Sequence, residues 1–110
     1  MVHSTSTITL TVGLDENKIA EALHFSAEDG DITEQETPSF FLSLWDAENK
    51  QALSVDLWTK QMPLNDMKFF FYQMFATMSE KYLQATDDEE MYTTMQDFCK
   101  QFAKKLIVEP

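Results

Sequence analysis

Two alternating runs, residues 40–46 and 51–59, flank the tetrapeptide AENK at 47–50, and their pairing restricts the chain more than any other feature. A four-residue connection sets Asp46 opposite Gln51. Leu44 then faces Leu53, Leu42 faces Val55 and Phe40 faces Leu57, an entirely apolar side. A five-residue connection would set Leu42 against Asp56 and Leu44 against Ser54. Since a one-residue slip moves every side chain to the other face, the apolar match selects the first register. Burial of the six side chains is worth roughly 1.5–3 kcal/mol each before entropy is counted, so they are expected inside. The same register sends Phe41, Ser43, Trp45, Ser54, Asp56 and Trp58 to the outer face.

Beyond Pro63 the period lengthens. Met67, Phe70, Phe71, Met74, Phe75, Met78 and Tyr82 recur at helical spacing, with Pro63 suited to the first turn. This helix should end near Gln84. Thr86-Asp87-Asp88-Glu89 matches a capping box, which starts a second helix at Asp87. Met91, Met95, Phe98, Phe102 and Leu106 line one face of it. Its acids come early and Lys100, Lys104 and Lys105 late, as the helix dipole prefers. Phe69 and Tyr72, with Ala76 and Leu83 near them, point away from the first stripe. They form either the seat of the second helix or a partner site.

Upstream, Ile8, Leu10, Val12 and Leu14 alternate with Thr7, Thr9, Thr11 and Gly13, a half-buried strand. DENK at 15–18 is a polar turn, and Ile19, Leu23 and Phe25 share one side of a second, weaker strand. Residues 28–38, with five acids and a glycine, read as a loop. The expected fold is therefore α+β in one domain, 1–110. A four-stranded antiparallel sheet of two hairpins is followed by two antiparallel helices packed on one face.

Composition narrows the function classes. Nineteen acids against eight bases give a net charge of −11. Nucleic-acid binding needs Lys and Arg on phosphates, so no nucleic-acid partner is expected, and anionic membrane surfaces are disfavoured alike. No apolar run approaches the roughly 20 residues that span a bilayer. The beginning of the chain lacks the pattern of a secretory signal, and the lone Cys99 fits a reducing compartment, so the cytoplasm is expected.

Chemistry-bearing constellations are scarce. On the calcium-loop template Gly30, Ile32 and Glu36 fit, but Phe25 and Ala27 occupy the first two ligand positions and offer no side-chain oxygen. His3, His24 and Cys99 show no zinc spacing. No glycine-rich phosphate loop or nucleophile–base pair follows from spacing. No metal, cofactor or catalytic residue is expected.

The candidate partner-binding residues are Phe41, Trp45, Asp56 and Trp58 on the outer hairpin face, and Phe69 and Tyr72 on the first helix. Rings beside a carboxylate suit a protein interface or a sugar platform. The structural alternative is that another strand, the acidic loop or a homodimer partner covers them.

Several stretches together resemble the gliding motility-associated GldC family. They are LTVGLDENKI, the LSLWD…VDLWTK hairpin, MPLNDMKFFFYQM and ATDDEEM…MQDFCKQFAKKL. They cover nearly the whole chain in order, and the departures lie in the acidic loop. The resemblance implies a small soluble accessory protein of gliding in Bacteroidetes-type bacteria, with no established catalytic activity and no family catalytic residues to carry over. The expected function is partner binding through the aromatic sheet face. The alternative is a small-ligand or carbohydrate-binding module using the same face. An enzyme built on Asp56 lacks a convincing second carboxylate.

Overall fold

The computed structural model describes residues 1–108, with the side chains of 107 and 108 excepted. In chain order the elements are β1 (Ile8–Leu14), β2 (Ala20–Ala27), β3 (Ile32–Thr37), β4 (Ser39–Asp46), β5 (Gln51–Trp58), α1 (Leu64–Thr86) and α2 (Glu89–Val108). The chain divides into two compact units at Met62/Pro63, a strand unit and a helical unit.

The α+β class holds, but the expected sheet does not. Five strands form two antiparallel sheets, β1-β2-β3 and β4-β5, rather than one sheet of four. The difference comes from the acidic stretch expected to be a loop. Only its first part turns, with the Asp31 N–H donating to the Glu28 carbonyl. The rest is β3, which pairs His24 with Glu36 and Leu23 with Thr37. Ser26 Oγ accepts the Glu34 N–H at 2.8 Å across an irregularity in the ladder, where Glu34 takes the left-handed conformation. Charged side chains suit an edge strand, where they discourage further pairing, so acids did not forbid strand here.

β3 gives way to β4 at Pro38, which has no N–H to donate to a ladder. The corner is closed by hydrogen bonds. The Pro38 carbonyl accepts the Thr59 N–H at 2.9 Å and the Thr59 hydroxyl at 3.4 Å. Ser39 Oγ donates to the Leu57 carbonyl, and Thr37 Oγ1 to that of Ser39. Ser39 and Thr59 are buried, as are Ala20 and Leu23.

The first hairpin turns on Asp15, whose Oδ1 accepts the N–H groups of Asn17 and Ile19, with Lys18 left-handed. These bonds, chiefly the one from Ile19, lower the Asp15 pKa. Asp46 plays the same part at the β4–β5 turn, accepting from Glu48 and Asn49. The register there is the expected one throughout, Asp46↔Gln51, Leu44↔Leu53, Leu42↔Val55 and Phe40↔Leu57.

Burial of that apolar side does not follow. Phe40 and Leu57 are half-buried, but Leu42, Leu44, Leu53 and Val55 are 39%, 56%, 51% and 52% exposed. Ladder pairing decides which side chains share a face; it supplies no layer over that face.

In the helical unit Pro63 is the N-cap rather than the first helical residue, with extended backbone and its carbonyl accepting the Met67 N–H. α1 closes through Asp87, left-handed at φ 57°, whose N–H reaches the Leu83 carbonyl at 2.8 Å. The expected capping box at Thr86 is displaced. Asp88 caps α2, its Oδ1 accepting the Met91 N–H at 3.1 Å and its Oδ2 the Tyr82 hydroxyl at 2.8 Å. Thr86 instead donates to the Tyr82 carbonyl and accepts the Asp88 N–H.

The seam between α1 and α2 is aromatic, with a polar node. Phe75 meets Phe98 edge-on at 5.3 Å and Phe102 at 5.7 Å. Ser79 is fully buried; its hydroxyl donates to the Ala76 carbonyl and accepts from Gln96 Nε2. Cys99 is buried as well.

The Tyr82–Asp88 bond makes this helical turn pH-sensitive. The Met91 N–H and then the Tyr82 hydroxyl lower the Asp88 pKa, and the same carboxylate raises that of Tyr82. A depressed carboxylate stabilises the fold above its unfolded pKa, about 3.9, and that contribution is lost as pH falls through the folded value. A raised phenol contributes below its unfolded pKa, about 10, and loses that contribution as pH rises through the folded value. Asp88→Asn, which still caps, should flatten the acid limb of helix stability followed at 222 nm, and Tyr82→Phe the alkaline limb. Unchanged limbs in both variants would remove this bond from the pH response.

Candidate interaction surface

The outer face of the β4–β5 ribbon is assembled by its ladder. Phe41 stands opposite Asp56, Ser43 opposite Ser54, Trp45 opposite Ala52 and Trp58 opposite Ser39. Directly opposed residues of an antiparallel pair share a face, and diagonal neighbours remain within reach of aromatic side chains. Phe41, Asp56 and Trp58 therefore cluster at one end. Trp45 lies about 13 Å further along β4, at roughly 3.3 Å per residue. Each indole faces a small residue, which leaves room for the ring to lie across the ladder.

These rings are open to solvent. Trp45 is 65% exposed, Trp58 57% and Phe41 40%. Asp56 is exposed. Its carboxylate is the ionisable group on this face of the ribbon, so the patch is nearly uncharged in a chain of net charge −11.

The two α1 candidates separate. Tyr72 is half-buried in the seam, stacked on Phe102 at 6.2 Å. Phe69 is 51% exposed. Ala76 and Leu83 are half-buried with Tyr72. An α1 that is apolar over much of its circumference cannot reveal from spacing which stripe its neighbour takes.

Residues 56–63, DLWTKQMP, change character every few positions because they round a corner. Thr59 turns inward to the Pro38 carbonyl, and its own carbonyl accepts the Met62 N–H. Lys60 reaches Asp15 at 3.9 Å with its side chain 73% exposed, a contact of little energetic weight. Beside this corner lies a hollow of about 240 Å³ lined by Glu21, Leu23, Glu36, Thr37, Thr59 and Gln61, among others. Sequence reading missed the Pro38–Ser39–Thr59 corner. Pro38 was its one local signal, since the Thr59 partner lies 21 residues away.

Among the described residues no group of three or more His, Cys, Asp or Glu side chains is placed to hold a metal ion. No described helix is long and apolar enough to cross a membrane.

No curated protein and no solved structure matches the chain. The family model described as gliding motility-associated protein GldC-like matches residues 20–108, a span from β2 to the end of α2. Matched over most of its length, with the strand and helical units both included, the chain belongs to the GldC-like family of gliding motility-associated proteins.

Proposed function

We propose that the protein is a non-catalytic, cytoplasmic accessory protein of gliding motility. It binds a protein partner of the gliding machinery through the aromatic face of the β4–β5 ribbon. The observation that carries this reading is the pair of indoles, Trp45 and Trp58, each more than half exposed on one nearly uncharged face. Interface anchors are enriched in large aromatic side chains, which bury much area at low entropic cost and draw most of their energy from desolvation. Phe41 and Asp56 complete the patch. Asp56, which gives that patch its negative charge, favours a basic group on the partner, and the net charge of −11 steers such a partner inward. Phe69, 51% exposed, supplies a second contact on α1, with Tyr72 held behind it in the seam by its stack on Phe102.

The test is a double substitution. Trp45→Ala with Trp58→Ala should abolish specific capture of the partner from a gliding cell, while the thermal midpoint moves by no more than a few degrees. A large loss of stability would assign the rings to the fold and remove the surface. The placing of Asp56 between Phe41 and Trp58 also favours a sugar platform as the second reading. Titration of tryptophan emission with a panel of sugars separates the two: a saturable response would move the function to ligand binding.

A further inference from the structure

The outer edge of β1 is built to pair with itself, and we propose that a second copy of this chain adds there, joining two three-stranded sheets into one of six. Among the described residues β1 has a ladder partner on one side only, β2. The Glu28 N–H donates to the Thr7 carbonyl, and Thr9, Thr11 and Gly13 follow in the same register. Hydrogen-bonded and non-hydrogen-bonded pairs alternate along an antiparallel ladder. Thr7, Thr9 and Thr11 therefore direct their backbone groups at β2, and Ile8, Leu10 and Val12 direct theirs outward.

Three features select a second copy as the occupant. β1, ITLTVGL, is the one described strand without an ionisable side chain, and it lacks the Lys, Pro or inward charge with which edges are usually protected. A chain of net charge −11 meets its own copy with least repulsion at such an edge. The pattern is also self-complementary. In a two-fold antiparallel pair centred on Leu10, Ile8 faces Val12 of the other copy and Thr9 faces Thr11. Apolar side chains thus meet apolar ones, and threonines meet threonines. About six backbone hydrogen bonds form, two from each of three pairs. Ile8, 71% exposed, thereby meets Val12 of the other copy in an apolar strip across the new sheet.

Such an edge contact falls at the small end of specific interfaces, so association should be roughly micromolar and tighten with salt as the like charges are screened. Sedimentation velocity on the whole protein tests it with two variants. Thr9→Lys with Thr11→Lys sets lysines opposite each other in two symmetry-related pairs, and should weaken the dimer roughly tenfold. Thr9→Lys with Thr11→Glu sets Lys against Glu and should restore it. Both sites are exposed threonines, so the strand unit tolerates either change. The double lysine variant also relieves overall repulsion, so a dimer formed through any other surface would tighten, and that result overturns the proposal. A wild-type protein that stays monomeric to about 100 times the expected micromolar range overturns it too.

Discussion

Leu23→Ala should destabilise the strand unit by about 3 kcal/mol, within the ~2–5 kcal/mol range of core leucine truncations. Leu23 sits on the central strand of the three, paired with Val12 on one side and Thr37 on the other, and none of it reaches solvent. Ala20 and Leu23 are the buried apolar residues among those described in this unit, so the truncation removes the centre of a small core. A loss of this size is a large fraction of the ~5–15 kcal/mol that holds an ordinary domain together. Both tryptophans lie within residues 1–62, so their emission during urea unfolding follows this unit. Leu44→Ala is the matched control. It is the same truncation at a side chain 56% exposed, and it should cost under about 1 kcal/mol. Equal shifts in the two variants would mean that Leu44 is as buried in solution as Leu23.

Phe75→Ala should weaken the helical unit by about 3 kcal/mol, read from ellipticity at 222 nm. Its ring touches Phe71 along its own helix and both Phe98 and Phe102 across the seam. Edge-on and tilted aromatic pairs contribute about 0.5–1.5 kcal/mol beyond the area they bury, so truncation removes several favourable contacts together. Phe69→Ala, two turns away and 51% exposed, should change little. If Phe69→Ala proved the more damaging, the seam would have to be redrawn around that ring, and its assignment as a partner contact would fail.

The contrast between Phe75 and Phe69 shows where sequence reasoning reached its limit. Both are aromatic residues of one helix, and both belong to stripes with helical spacing. Spacing placed Phe75 on the main stripe with Met67 and Met74, yet it lies in the seam with Tyr72 and Ser79. The fully buried Ser79 and its partner Gln96 were invisible beforehand, because nothing in a polar residue's neighbours says that another helix will bring an amide to it. The cap of α2 failed for a smaller reason. Thr86 and Asp88 are both good N-cap residues within one short link, and the left-handed turn at Asp87 decides between them.

The candidate surface was legible in part for a complementary reason. Phe41, Trp45, Asp56 and Trp58 share a face because strand side chains alternate, which is a property of the local backbone. Their exposure belongs to the tertiary structure. So does that of Leu42, Leu44, Leu53 and Val55 on the reverse side, which were expected to be buried and are exposed.

The sequence alone determined the β4–β5 register, the change of period at Pro63, the two helices and the sharing of faces along β4 and β5. All of these are set by backbone geometry over a few residues. Only the tertiary structure decided that an acidic stretch becomes β3, that the strands divide three and two, and which apolar faces stay open. Those outcomes depend on partners distant in the chain: β2 offering a ladder to β3, and Thr59 holding the corner at Pro38. No local pattern encodes whether such a partner arrives.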